Sequence, residues 1–145
     1  MYAEGGCDPT KLMDGLMRGG RYLEARLDAA LADLGLSAAK WGALKHLLEA
    51  EEALPLGQLA GRLACVKSNA TQLVDRLEAD GLVRRVPDSE DRRSIRAEVT
   101  AEGRLRYEAG LERMREVERE LLGDYTLEER LLLARLLQSL ERGGL

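Results

Sequence analysis

Residues 54–103 constrain the fold of this 145-residue chain more than any other segment. Two short helical patterns, over about residues 56–63 and 66–80, are separated only by a turn at Ala64 and Cys65. A glycine, Gly81, follows the second pattern, and glycine commonly ends a helix because it adopts a left-handed backbone conformation without strain. Two helices joined by so tight a turn are typical of a helix-turn-helix.

The residues after this pair of helices predict two strands that are separated by a polar loop. Residues 82–86 have the composition of a strand, and residues 94–99 alternate between apolar and polar side chains. The loop over residues 87–93 is too long and too charged for a tight hairpin, which indicates a loop that extends toward a binding partner. We therefore predict a mainly α fold with a small β-hairpin wing, that is, a winged helix-turn-helix domain plus a helical region.

Two helices are predicted before this unit. Asp8 and Pro9 favour a helix start, because aspartate caps the free backbone amides and proline fits the first turn. Apolar residues then recur at helical spacing as far as residue 34, and Gly35 follows as a stop. Ser37 opens a second helix, which ends near residue 50.

Two helices are also predicted after the wing, and the last one carries a surplus of leucine. Thr100 caps a long helix over about residues 101–123, and residues 126–129 form a complete capping box for the final helix. Leucines lie on nearly every side of that final helix, which exceeds what one core needs and indicates a protein partner. These leucines are Leu131, Leu132, Leu133, Leu136, Leu137 and Leu140.

The distribution of charge favours a nucleic-acid partner more than the total charge does. The chain has a net charge of −4, but residues 62–106 hold ten basic and eight acidic side chains, so this segment is +2 and the remainder is −6. A nucleic acid responds to the local field, because charges beyond a Debye length are screened. The excess is modest, so the assignment depends on where the individual side chains lie.

Several patterns that would indicate other classes of protein are missing from the sequence. No apolar run reaches the roughly 18 residues of a transmembrane helix, and no signal-peptide pattern is visible, so we expect a cytoplasmic protein without a membrane partner. Two cysteines, Cys7 and Cys65, and one histidine form neither a disulfide framework nor a metal site. Without a phosphate loop, a nucleotide fingerprint or a nucleophile elbow, we expect no cofactor and no enzymatic activity.

The second helix of the helix-turn-helix presents the residues that are best suited to reading DNA. Its inner face is apolar, so short or hydrogen-bonding side chains remain for the outer face. Asparagine and glutamine form paired hydrogen bonds to adenine, and serine or threonine bind phosphates or base edges. The alternative is a polar helix start that only caps itself. The candidate contacts are Lys67, Ser68, Asn69, Thr71, Gln72 and Arg76.

The wing supplies a second set of candidates. An arginine at its tip, Arg92 or Arg93, suits a narrow minor groove, where the negative potential is deepest. Asp91 cannot contact DNA favourably, and we expect it to orient a nearby arginine by a charge-assisted hydrogen bond. Arg84 and Arg85 precede the loop and suit phosphate contacts, but only one can face DNA from a two-faced strand. The alternative is a self-neutralising surface hairpin.

The helix and the wing share a run of spaced residues that resembles a known family. The run consists of Leu73-Val74-Asp75-Arg76-Leu77-Glu78, Gly81-Leu82-Val83, Arg85, Asp91, Arg93, Val99-Thr100 and Gly103. It resembles the MarR family of bacterial transcriptional regulators, whose pattern is LVDRLE..GLV.R, a D.R wing and then LT..G. The match is specific over about fifty residues, and the flanking helices also fit the family's arrangement.

The resemblance implies one MarR-like unit over residues 1–145. Its winged helix-turn-helix lobe covers residues 37–100, and residues 9–34 and 101–143 form the dimerisation helices. The expected function is that of an obligate homodimer that represses transcription from a palindromic double-stranded DNA operator and is released by a small molecule. Each subunit inserts its recognition helix into the major groove of one half-site.

The resemblance also assigns roles to single residues. Arg93 is the wing residue that enters the minor groove, and Asp91 is its orienting partner. Gln72 departs from the family pattern, since many members have arginine there, and this difference indicates a different operator. Val99 stands where leucine is common, which is a conservative change in the core.

Regulation is implied by the same resemblance. Many members bind a small aromatic or anionic effector between the dimerisation helices and the DNA-binding lobe, and the candidate lining residues here are Tyr22, Trp41 and His46, with Arg18 or Arg21. Each has an ordinary structural alternative, such as filling the core for Trp41.

Two alternatives remain open for the function. A thiol near a helix N-terminus can be reactive, so Cys65 offers a redox sensor, although cysteine in such a turn can also be buried filler. The winged helix can also serve as a protein-interaction module. Salt-sensitive binding to duplex DNA separates this module from a DNA-binding regulator.

Overall fold

The computed structural model describes residues 8–50, 52–63, 67–88, 90–91 and 93–143, with the backbone alone for Lys67 and Ser68. The fold is mainly helical with one small antiparallel sheet, as predicted. The helices are α1 (Pro9–Leu31), α2 (Ala38–Glu49), α3 (Leu56–Arg62), α4 (Lys67–Ala79), α5 (Ala101–Leu122) and α6 (Leu127–Gly143). The strands are β1 (Leu54–Pro55), β2 (Val83–Pro87) and β3 (Ile95–Val99). Within the described ranges, no helix is long and apolar enough to cross a membrane.

The predicted capping residues begin four of the helices. The side chains of Asp8, Ser37 and Thr100 each accept a hydrogen bond from a backbone amide two or three residues later, at 2.9, 3.1 and 3.0 Å. Thr126 and Glu129 form the reciprocal capping box, at 3.1 and 3.0 Å. These bonds satisfy amides that have no partner within the helix, and they fix where each helix starts.

Two glycines end the segments that the sequence assigned to them. Gly35, with φ of 69°, follows a single 3-10 turn (Ala32–Leu34), so the last predicted turn of the first helix is not α-helical. Gly81, with φ of 76°, follows α4 and turns the chain into β2. Both conformations favour glycine, because a Cβ atom would clash with the backbone there.

The sheet contains a strand that the sequence analysis missed. Strand β3 lies in the centre, pairs with β2 along the wing, and pairs on its other side with the two residues Leu54 and Pro55 of β1. The sequence predicts no strand at this dipeptide. Proline fits here because β1 is an edge strand, where a missing N–H leaves no ladder bond unmade.

The core lies between α2, α3, α4 and the sheet. Leu44, Leu59, Val74, Leu77 and Leu82 are fully buried there. The predicted inner face of α4 is therefore confirmed, and the helix is oriented by apolar burial. By contrast, none of the described residues of α6 is buried within the subunit.

Helix α5 is attached to this lobe by two close contacts. A Cβ atom at Gly103 would lie 2.0 Å from the carbonyl oxygen of Leu82 and 2.7 Å from Cγ1 of Val99. One turn of helix further along, Trp41 stacks on Tyr107, with ring centroids 5.2 Å apart. The start of α5 therefore packs directly on the backbone where α4 gives way to the wing.

We expect Gly103→Ala to destabilise the protein, because the added methyl meets backbone that cannot move without displacing β2. Overpacking of this kind costs about 1–3 kcal/mol, and thermal or urea unfolding measures it. Gly42→Ala is the matched control, since nothing lies within 4 Å of a Cβ atom at this helical glycine. That change should leave stability unchanged or raise it by up to about 1 kcal/mol. Equal stability of the two variants would contradict the close packing.

Candidate nucleic-acid interface

The outer face of α4 carries polar side chains that the fold does not use. Asn69, Gln72 and Arg76 are exposed, and none of them forms a side-chain hydrogen bond or an ion pair with the residues that the structure describes. Thr71 is half-buried and has a partner. The side chains of Lys67 and Ser68 lie outside the described part of the chain. Buried residues on the opposite face fix α4, so these free donors and acceptors point away from the core.

The structure distinguishes the two arginines of β2. The side chain of Arg84 is 68% exposed and pairs with Glu98 on the neighbouring strand, whereas that of Arg85 is 23% exposed and turns toward α4. Arg85 pairs there with Asp75 and, at 2.8 Å, with Glu78. The guanidinium of Arg85 is therefore already held by two carboxylates of α4, and its contact with phosphates stays a prediction.

The base of the wing is closed by Asp88 and Arg96. The backbone N–H of Asp88 donates to Ser94 O at 3.2 Å, and Asp88 Oδ2 lies 3.2 Å from Nε of Arg96. The same arginine donates from Nη1 to Ala53 O at 2.8 Å, which connects the wing to the loop before β1. A hydrogen bond from the backbone amide of Glu90, together with Arg96, lowers the pKa of the Asp88 carboxyl below its ordinary value.

The tip of the wing exposes one described arginine. Arg93 is exposed, and its backbone N–H donates to Oδ1 of Asp91 at 2.9 Å. Among the described residues, the Asp91 carboxylate forms no bond to an arginine side chain, and a bond to Arg92 stays a prediction. Aspartate two residues before an amide forms this local turn readily, so Asp91 shapes the loop backbone. The guanidinium of Arg93 has no partner among the described residues. Arg92 lies outside the described residues.

The ion pairs explain how a segment with a small net charge can present positive charge locally. Carboxylates of the same lobe neutralise Arg84, Arg85 and Arg96. Within the described residues, four other arginines of this lobe and the adjoining start of α5 form no ion pair: Arg62, Arg76, Arg93 and Arg104. Two of these, Arg76 on α4 and Arg93 on the wing, lie on the elements predicted to contact DNA.

The candidate effector residues lie on α1 and α2, and each has its own contacts within the described subunit. Tyr22 is exposed on α1, where its hydroxyl accepts a bond from a neighbouring arginine at 3.3 Å. Trp41 is buried, and its Nε1 donates to Tyr107 O at 3.2 Å. His46 lies on α2 with Nδ1 3.7 Å from a carboxylate oxygen of Glu49. A groove of about 310 Å³ between α1 and α5 is lined by other residues: Arg26, Ala29, Ala30, Arg113, Glu116, Val117 and Glu120. The redox candidate Cys65, like Cys7, lies outside the described residues.

Comparison with known proteins identifies the family. A model of the MarR family matches residues 36–95. The HTH-type transcriptional regulator PecS of Dickeya dadantii (strain 3937) is 31% identical over 137 residues, which cover 93% of this chain and 82% of PecS. A MarR family transcriptional regulator from Streptomyces coelicolor superposes with a TM-score of 0.85 at 27% identity, over 96% of both chains. The M. tuberculosis regulator MOSR, solved in complex with DNA, gives a TM-score of 0.72 at 25% identity, over 97% of this chain and 100% of that one.

These similarities and the fold define a winged helix-turn-helix transcriptional regulator. The protein belongs to the MarR family. The predicted resemblance is therefore confirmed, and it extends beyond the motif to the helices on both sides of it.

Asp88→Asn is expected to reduce the acid sensitivity of the fold. The folded pKa of Asp88 lies below the ordinary value of 3.8, so its ionised form contributes stability that is complete above that value. This contribution is lost as the pH falls through the lower, folded value. The free energy of unfolding should therefore be higher for the wild type than for Asp88→Asn at about pH 7, and this difference should shrink as the pH is lowered to about 2. Glu90→Gln is the control, since that carboxylate has no ion pair within the described residues. A pH-independent difference between wild type and Asp88→Asn would contradict this role.

Proposed function

We propose that this protein is a homodimeric repressor that binds a palindromic double-stranded DNA operator through α4 and the wing. The observation that carries the proposal is the outer face of α4, where Asn69, Gln72 and Arg76 are exposed and unpaired within the described residues. A helix face that only contacts solvent more often carries glutamate and lysine than amide side chains aligned along one face. Amide side chains read adenine, and arginine reads guanine or holds phosphate.

The wing supports the same proposal from a second direction. Arg93 lies at its tip, and its guanidinium has no partner within the described residues. The backbone of the loop is held by hydrogen bonds to the side chains of Asp88 and Asp91. A cation held in this way suits an adjacent minor groove, where the potential is most negative. In a dimer, the two recognition helices would enter major grooves about one helical turn apart, ~34 Å.

The exposed apolar surface supports a second copy of this chain as the partner of the helical region. Helix α6 has no buried residue, and it exposes leucines on several sides. The first half of α1 likewise exposes Leu12, Met13, Leu16 and Met17. Contiguous apolar patches of this kind are uncommon on monomers, since they cost free energy in water. The exposed apolar residues of α1 and α6 can therefore form one dimer interface.

Release by a small aromatic or anionic effector is the finer part of the proposal. Its support is membership of the family, together with the exposed phenol of Tyr22 on a helix of the proposed dimer interface. Trp41 and His46 already have partners inside the subunit. An effector of this kind has to bind one arrangement of the two lobes more tightly than the other.

The proposal is tested by selecting duplexes from a randomised library with the purified protein. Anisotropy titrations then compare the selected duplex with random duplex at two salt concentrations. We expect tight binding that resists random competitor and weakens steeply with salt, because phosphate contacts release counterions. Binding no stronger than that of random DNA would contradict the proposal and favour a winged helix that binds proteins.

Arg93→Ala is expected to weaken binding to the selected duplex by roughly tenfold while leaving the unfolding temperature unchanged. The reason is that its side chain is exposed and forms no contact that the fold requires. Arg115→Ala removes the same charge from an exposed position on α5, at 59% side-chain exposure, and should bind like wild type. Equal affinity of the wild type and Arg93→Ala at matched salt would exclude Arg93 from the interface.

Leu136→Glu is expected to convert the dimer to monomers, because a charge placed in an apolar interface loses its hydration. Leu136 is 51% exposed in the isolated subunit. Sedimentation velocity measures the outcome. Ile95→Glu is the control, because Ile95 is similarly exposed, at 48%, but lies on the wing. A Leu136→Glu protein that sediments as the wild type would remove α6 from the proposed interface.

A further inference from the structure

We infer that Arg85 is a positioning residue that joins the recognition helix to the wing and so holds the two DNA-contacting elements in one orientation. The inference rests on the proposed function and adds a role that exposed contact residues do not have. Arg85 lies on β2, its guanidinium reaches back to α4, and its side chain is only 23% exposed.

The contacts of Arg85 extend along α4 for more than one turn. Nη1 donates to Glu78 Oε1 at 2.8 Å, Nη2 pairs with Asp75, and Nη2 also lies 3.5 Å from the backbone oxygen of Thr71. Glu78 in addition accepts the backbone N–H of Arg85 at Oε2, at 3.0 Å. A planar guanidinium holds two carboxylates with N–H groups on different nitrogens in a fixed geometry, whereas the three donors of lysine all lie on one nitrogen.

The contacts of Arg85 can affect recognition because they lie along α4 and not only at its C-terminal end. The turn at Gly81 already joins the C-terminal end of α4 to β2, so a bond near that end alone would add little. Asp75 and Thr71 lie further toward the start of the helix and flank Gln72, which faces outward. Arg85 therefore opposes rotation of α4 about its own axis and any swing away from the wing, two motions that would misalign Gln72 and Arg93.

The local charge argues against a direct phosphate contact. One guanidinium faces two carboxylates, so the cluster of Arg85, Asp75 and Glu78 has a net charge of −1. A phosphate would have to compete with both acids for the same donors. Ion pairs that are partly exposed contribute little stability individually, so the expected effect of breaking them is on geometry more than on folding.

Two kinds of DNA measurement separate positioning from phosphate contact. Arg85→Met keeps an unbranched apolar stem and should weaken binding to the selected duplex by roughly tenfold, with little change on random duplex and an unchanged salt slope. A phosphate contact would instead weaken both duplexes together and reduce the salt slope by about one. Arg85→Lys should lie between wild type and Arg85→Met, since one ammonium can restore only part of the pairing.

For Glu78, an acidic partner of Arg85, positioning and simple electrostatics predict opposite changes in DNA affinity. Glu78→Gln removes a negative charge from the DNA-binding lobe, so simple electrostatics predicts tighter binding. Positioning predicts weaker binding to the selected duplex, because Arg85 loses a partner. Glu90→Gln removes the same charge from the wing without removing an ion pair among the described residues, and it should bind as tightly as wild type or more tightly. Tighter binding by Glu78→Gln would overturn the inference.

Hydrogen exchange tests the same contact without DNA. In Arg85→Met, the amides of α4 from Thr71 to Ala79 should exchange faster than in wild type, while those of α2 remain unchanged. Unchanged exchange along α4 would overturn the inference even if DNA binding were lost. If the wild type selects no duplex, the proposed function fails, and the exchange result still decides whether Arg85 holds the helix.

Discussion

Burial of one face of α4 is the constraint on which the rest of this structure depends. Ala70, Val74 and Leu77 are fully buried against α2, α3 and the sheet, and burial of a valine or leucine side chain contributes about 1.5–3 kcal/mol each. Because side chains follow the helical period, this packing dictates which residues face away from the core. Gln72 and Arg76 are exposed for that reason.

Two groups of arginines in the lobe differ in whether they pair with carboxylates. Arg84, Arg85 and Arg96 are paired with carboxylates, and they connect strand to strand, helix to wing, and wing to the loop before β1. Arg76 and Arg93 have no such pair within the described residues. Four of the eight acids of this segment, Asp75, Glu78, Asp88 and Glu98, pair with the connecting arginines, and Arg76 and Arg93 stay unpaired among the described residues.

The sequence predicts those features that depend on local chemistry. Capping residues, helical spacing and the glycine stops identify every helix to within a few residues, because each depends on neighbours in the chain. Strand β1 was missed because two residues carry no period, and they form a strand only by pairing with β3. Likewise, alternation along β2 shows that Arg84 and Arg85 face opposite sides but cannot show which side holds α4. The bond of Asp91 to the backbone amide of Arg93 also depends on the loop geometry.

The exposed apolar helices α1 and α6 would connect the stability of the protein to the spacing of its proposed DNA-binding surfaces. The core of one subunit includes Leu31 of α1 together with residues of α2, α3, α4 and the sheet, whereas the leucines of α6 find no burial there. If a second copy covers them, the apolar free energy that orders α1 and α6 is supplied by association, so stability depends on protein concentration. The same helices then set the distance between the two copies of α4. Since α5 packs through Gly103 directly on the junction of α4 and the wing, a change in the proposed dimer interface that moved α5 would also move the surface proposed to read DNA.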